Sequence, residues 1–230
     1  VDALTTGAVS AATVTTITGT NVEILAAYAL NTATTTTGLA NEALTVSNAV
    51  TVAEANALVA LTTGAVTATI SDGDMATLAT LTAATGGVAE SNALTVTVTD
   101  ASADAAALAT LDGLTTVQVT VNSTEIFGSE AEIRAAVAAA GLSDLSAKNL
   151  RVDAGAIADG DVATFLALTT GTVTASIAAD SYTNLSATTC ITETGHALAL
   201  DINAGAPTAA QLNNLRAKTT GVVNIQQNAI

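Results

Sequence analysis

The sequence predicts an α/β chain: a right-handed β/α solenoid of leucine-rich-repeat-like coils, with one parallel β-sheet wall and short stacked helices. Three observations predict it. A tripeptide returns at one place in a longer pattern, as Thr5-Thr6-Gly7, Thr62-Thr63-Gly64, Thr169-Thr170-Gly171 and Thr219-Thr220-Gly221. Helical and extended periodicities alternate along the chain. Glycines mark the changes from one to the other. The tripeptide glycines are spaced 57, 107 and 50 residues apart, with Thr115-Thr116 near the middle of the long gap, so the underlying period is about 53.

Helix starts set a shorter period inside that one. A capping-type residue stands four positions before a large apolar residue in the pairs Asn21/Leu25, Glu54/Leu58, Asp74/Leu78, Asp104/Leu108, Ser129/Ile133, Asp161/Phe165, Ser181/Leu185 and Thr208/Leu212. A short side-chain oxygen at such a place accepts a backbone N–H of the first turn. Thr20…Glu23, Thr51…Glu54 and Ser129…Glu132 are capping-box strings, so the helix at Glu54 is expected to begin earlier. A second apolar residue usually follows the anchor by three positions, as in Tyr28, Leu61, Leu81, Leu111, Leu168 and Leu215, which makes a one-sided stripe of two or three turns.

Gly7, Gly38, Gly64, Gly86-Gly87, Gly141, Gly171, Gly195 and Gly221 follow these stripes, where a left-handed C-cap favours glycine. Beyond them the period changes to two, in Val66–Ile70, Leu94–Val98, Val117–Val121, Val173–Ile177 and Leu198–Ile202, which predicts strands. A strand, a turn, a short helix and a glycine repeated every 20 to 33 residues close as a coil whose successive strands run parallel. The crossover rule makes the winding right-handed. Residues 1–230 then form one array of about eight β/α units. With two Phe, two Tyr and no Trp, its core is filled by Leu, Ile, Val and Ala. Alternate units insert a linker before the strand, at 39–42, 88–92 and 142–149, and these loops would line one edge.

Half the residues are apolar and 11% are charged, and no apolar run reaches the length of a membrane span. Twenty acidic against five basic residues give a net charge of −15, which repels nucleic acid and anionic membrane surfaces. The single cysteine, Cys190, excludes an internal disulfide and reads as a small buried apolar residue. The chain opens on Val1 with no basic or hydrophobic leader, and no polar capping repeat stands at either end. An excerpt of a longer array is expected, with any export signal outside it.

Strings such as Leu61-Thr62-Thr63-Gly64-Ala65-Val66-Thr67-Ala68-Thr69-Ile70 and Leu168-Thr169-Thr170-Gly171-Thr172-Val173-Thr174-Ala175-Ser176-Ile177 resemble the threonine-, alanine- and aspartate-rich repeats of very large secreted or surface-attached proteins of marine bacteria, including cyanobacteria. The resemblance covers the whole chain. It implies an adhesin-like or surface-layer-like setting, extracellular or at the cell surface, and carries over no functional residue.

No catalytic constellation is legible. The one histidine, His196, follows Gly195 at a strand entrance and reads as a surface or cap residue; the lysines and arginines are scattered over separate units. No phosphate loop, zinc spacing or nucleophile elbow occurs. Calcium is the one cofactor with candidate ligands. Asp72-Gly73-Asp74 and Asp159-Gly160-Asp161 stand in equivalent places before a helix anchor, and paired carboxylates on a turn supply hard oxygen donors; the second aspartate of each pair also suits an N-cap. On the outward sheet face, Thr67, Thr69, Thr95, Thr97, Thr120, Thr174 and Ser176 are expected to form ladders, interrupted by Arg151 and Asp153.

The sequence therefore leads to a non-enzymatic structural repeat segment of an extended extracellular or cell-surface protein, a rod, spacer or adhesin stalk. Its partners are neighbouring repeats of the same chain, with divalent cations or surface glycans as further candidates and neither nucleic acid nor membrane insertion. One alternative is a carbohydrate- or protein-binding module using the linker edge. Another is an ice-binding threonine face.

Overall fold

The computed structural model describes residues 7–32, 35–82, 92–187, 191 and 195–226. In chain order the first half forms β1 (Val9–Ser10), β2 (Thr16–Gly19), α1 (Asn21–Ala29), β3 (Thr36–Thr37), β4 (Ala43–Val50), α2 (Val52–Val59), β5 (Val66–Ile70), α3 (Met75–Leu78), β6 (Ala93–Thr95), β7 (Thr97–Val98), β8 (Ser102–Asp104) and α4 (Ala105–Asp112). There follow β9 (Thr120–Val121), β10 (Glu125–Ser129), α5 (Glu130–Ala138), β11 (Asn149–Ala154), α6 (Asp159–Leu166), β12 (Val173–Ser176), β13 (Asp180–Ser181), α7 (Tyr182–Leu185), β14 (Ala197–Ala204), α8 (Ala209–Lys218) and β15 (Val223–Ile225).

The fold is mixed α/β with parallel sheets, and no sheet among the described residues closes into a barrel. The described residues group into two compact units. The first lies within Val1–Asp100, Ala109–Asn122 and Ala140–Ser143, and the second within Ala101–Leu108, Ser123–Ala139 and Asp144–Ile230. In the first, β2, β4, β5 and β6 are neighbours in chain order; in the second, so are β8, β10, β11, β12 and β14, with β15 on the far edge of β14. Every named strand pair is parallel, as the connecting helices require.

Capping boxes start the helices. Thr20, Thr51 and Ser129 each accept the N–H of the glutamate three residues on, while that glutamate accepts the backbone N–H of the cap. Thr208 closes a fourth box with Gln211. Two expected starts move. In α1 the cap is Thr20 and the buried anchor is Ile24, so Leu25 is left partly exposed. In α6 the cap is Ala158, without a side-chain bond, and Asp161 lies inside the first turn. The turn residue just before the helix decides, and the four-residue spacing to an apolar side chain does not see it.

Core side chains stack in register. Leu44 lies beside Val66 in the first unit, and Ile126 beside Leu150 beside Val173 in the second, all fully buried. Helix side chains such as Leu58, Leu78, Ile133, Phe165 and Leu215 close the other side. Each such burial is worth about 1.5–3 kcal/mol. Three expected strands are shortened, Val173–Ile177 by one residue, at Ser176. Leu94–Val98 divides at Val96 because β6 pairs with β5 while β7 pairs with β9, and of Val117–Val121 only Thr120–Val121 is a strand.

Candidate functional site

The recurring tripeptide is a junction between successive segments. Thr62 Oγ1 donates to Glu42 O at 2.6 Å and accepts the Gly64 N–H at 2.9 Å; the next residue, Thr63, donates its N–H to Ala40 O at 2.8 Å. Thr169 bonds Lys148 O and accepts Gly171 N–H at 2.9 Å, and Thr219 donates to Leu198 O at 2.8 Å and accepts Gly221 N–H at 2.9 Å. Thr115 does the same to Leu94 O at 2.8 Å and Val117 N–H at 3.1 Å. Thr62, Thr169 and Thr219 are buried, so each hydroxyl satisfies backbone groups that water cannot reach.

The glycine of the tripeptide has a different cause from the expected left-handed cap. Gly38 and Gly195 have positive φ, but Gly64, Gly171 and Gly221 do not. A Cβ on Gly171 would stand 2.5 Å from Lys148 O, and one on Gly64 or Gly221 would meet Glu42 O or Leu198 O. Close backbone approach between neighbouring segments excludes a side chain there.

A second recurring position lies two residues before the inward leucine of a strand. Glu42, Asn92 and His196 occupy it, all buried. Asn92 Oδ1 accepts Val66 N–H at 2.9 Å, and His196 Nδ1 accepts Val173 N–H at 3.0 Å. His196 is therefore an internal acceptor rather than the expected surface residue, because a strand N–H turned into the interior requires a partner. Glu42 accepts the Tyr28 hydroxyl at 2.7 Å and the Ala40 N–H at 3.2 Å. Burial, and then this carboxylate, push the Tyr28 phenol up to about 12.

The aspartates proposed for calcium fall in unlike places. Asp74 caps α3 through Thr77 N–H at 2.9 Å, which holds its carboxyl below the usual range, and Asp72 Oδ2 accepts Val52 N–H, at the start of α2, at 2.7 Å. Asp159 and Asp161 both lie in the first turn of α6, so the two pairs are not equivalent. Among the described residues, no group of three or more His, Cys, Asp or Glu is placed to hold a metal ion.

Asp72 belongs to a series that was not read from the sequence. Asn48 Oδ1 accepts Asn21 N–H at 2.9 Å and Asp100 Oδ2 accepts Met75 N–H at 2.7 Å, so α1, α2 and α3 each receive a second cap from a later residue. The signal was present: an Asn or Asp stands two residues after an inward Val or Ile in Val46/Asn48, Ile70/Asp72 and Val98/Asp100.

Outward threonines line up in the first unit, where Thr18, Thr45 and Thr67 share one row and Thr69 and Thr95 another. In the second unit the row is Asp104, Phe127, Arg151, Thr174, Ala197, with Arg151 4.6 Å over Phe127 and paired with Glu125 at 3.1 Å. Cys190, Thr5-Thr6, Gly86-Gly87 and linker residues 88–91 lie outside the described residues. No described helix is long and apolar enough to cross a membrane. No family model matches the chain, and searches of curated proteins and of solved structures return no match.

Proposed function

We propose that this chain is a structural repeat segment, without catalytic activity, of an extended extracellular or cell-surface protein, wound as a right-handed β/α solenoid and serving as a spacer or stalk. One observation carries the reading: the residues that recur along the sequence are engaged in hydrogen bonds from one strand–helix segment to the next. Neighbouring repeats of the same chain are the principal partners. The charge of −15 keeps such segments apart in solution, with divalent cations as candidate bridges.

Deleting residues 117–170 tests the winding, because it joins Thr115-Thr116 to Gly171 and regenerates the tripeptide at the junction. The shortened chain is expected to unfold cooperatively with a smaller denaturant slope, and an unfolded product overturns the solenoid. Antibody labelling of intact source cells tests the location, and label confined to permeabilised cells refutes it. Calorimetric titration with calcium and a glycan array address the remaining partners. The linker-edge alternative is weakened by the engagement of Ala40 O, Ser146 O and Asn149 Oδ1 in bonds between segments.

The register of Thr18, Thr45 and Thr67 favours a second reading, an ice-binding face on the first unit, with neighbouring threonines of the row about 4.8 Å apart. Absence of thermal hysteresis would end it.

A further inference from the structure

Two helix pairs of the second unit, α5 with α6 and α7 with α8, are built on one plan. Ser129 caps α5 and is in register with Ala154 of the string Ala154-Gly155-Ala156; Ser181 caps α7 and is in register with Ala204 of Ala204-Gly205-Ala206. Both pairings follow a shift of register, and Gly155 and Gly205 take positive φ, +85° and +82°. α6 and α8 begin five residues after Ala154 and Ala204. Asp161 and Thr164 therefore correspond to Gln211 and Asn214, and buried Phe165 to buried Leu215.

The link across each pair differs. Arg134, five residues after Ser129, pairs with Glu130 at 2.7 Å, donates to Asp161 O at 3.2 Å and to Thr164 Oγ1 at 3.1 Å, and lies 5.2 Å over Phe165. Five residues after Ser181 stands Ser186, too short to cross, and Tyr182 takes the place of Glu130. Asn214 Nδ2 donates to the Tyr182 hydroxyl at 3.1 Å, and no described side chain of α7 bonds Gln211. A cleft of about 180 Å³ stands there, lined by Tyr182, Gln211, Pro207 and the small residues 204–206, with Ser181 and Thr183.

That volume is well below what a drug-sized ligand fills and suits one ring-sized group. No charged side chain lines the cleft, and a net charge of −15 disfavours an anion. Its polar groups are only partly spent. Gln211 Oε1 accepts the Thr208 N–H at 2.7 Å, but among the described residues nothing takes its amide N–H groups or the Thr183 hydroxyl. The Tyr182 hydroxyl accepts from Asn214 and keeps its own hydrogen to donate. An aromatic ring with neutral donors on both sides matches a ligand that has an apolar face and a rim of hydroxyls.

We infer that the cleft between Tyr182 and Gln211 binds one uncharged pyranose unit of a glycan, its apolar face on the Tyr182 ring and its hydroxyls on the Gln211 amide and the Thr183 hydroxyl. The Glu130–Arg134 clasp bridges the corresponding place between α5 and α6. The inference stands on this comparison and not on the role proposed above, and its failure leaves that role untouched.

Proton–nitrogen correlation spectra of the full chain, titrated with the methyl glycosides of mannose, glucose and galactose, test it. At least one of the three is expected to give saturable shifts confined to residues 181–183, 204–207 and 211, at the roughly millimolar affinity that a ligand of this size supports. Tyr182→Ala should weaken binding about tenfold. Gln211→Glu keeps an acceptor for the Thr208 N–H and loses the amide donors, so binding should weaken while the melting midpoint holds. Tyr182→Glu with Ser186→Arg rebuilds the clasp of Glu130 and Arg134 and should abolish binding in a chain that circular dichroism shows to be folded. Should a Tyr182 variant unfold, Ala206→Leu, which fills the cleft, replaces it. No shift with any of the three glycosides, shifts placed elsewhere, glycerol or methyl glucuronide acting as the glycosides do, or a folded clasp variant that binds as the unaltered chain does overturns the inference.

Discussion

Asp72 Oδ2 accepts the backbone N–H of Val52 at 2.7 Å, so α2 is capped both by its own Thr51 and by an aspartate that follows it in the chain. Removing the second cap leaves a first-turn N–H without its acceptor. Asp72→Ala is expected to lower stability by about 1 kcal/mol, the usual value of a helix cap. Asp153→Ala, which breaks only an exposed pair with Arg151, is expected to change it by less than about 0.5 kcal/mol. Urea midpoints followed by circular dichroism compare the two.

Thr62 and Thr63 are adjacent and unequal. Thr62→Val keeps the shape and deletes a buried hydroxyl that serves Glu42 O and Gly64 N–H, which costs about 1–3 kcal/mol in unsatisfied backbone groups. Thr63 is exposed, and its N–H reaches Ala40 O at 2.8 Å while its hydroxyl stands 3.4 Å from the same oxygen, so Thr63→Val keeps the shorter bond and should be close to neutral. Equal losses in denaturant unfolding would contradict the junction geometry.

Two glycine substitutions are expected to act with opposite sign. Gly171→Ala drives a methyl to 2.5 Å from Lys148 O and must displace backbone, whereas Gly160 lies in α6 with open space around its Cβ position. Gly160→Ala should therefore stabilise by about 0.5–1 kcal/mol. Thermal melts of the two variants test the signs directly.

Acid and alkali should act through different groups. The Ser129 hydroxyl and N–H hold the Glu132 carboxyl below its ordinary value of 4.5, as the backbone N–H and hydroxyl of Thr51 do for Glu54. A depressed carboxyl contributes stability above its unfolded value and loses it as pH falls through the folded one. Glu132→Gln should flatten the fall of the melting midpoint on acidification. Tyr28 behaves oppositely, its contribution being complete below 10 and lost as pH rises toward about 12, so Tyr28→Phe should flatten the alkaline limb. Melts across the full pH range read both.

The capping boxes at Thr20, Thr51 and Ser129 were legible because cap and glutamate are three residues apart and meet in any helix that starts there. The alternation of Val66–Ile70 was legible for the same local reason. His196 was not. Its burial depends on Val173, whose N–H reaches it only because β14 lies beside β12. Asp161 was misplaced since α6 starts at Ala158 without a side-chain cap, and nothing in the residue type at 158 announces a start.

The amino-acid order alone determined where helices and strands alternate, which residues form the apolar stripes, and that a tripeptide recurs, because each of these rests on contacts within a few positions. Only the tertiary structure decided what the recurrence is for. Thr62 bonds a carbonyl 20 residues back, and Gly64 is small because that same backbone passes against it. Such contacts are set by which strand lies alongside, and neighbourhood across a parallel sheet is not written in local spacing.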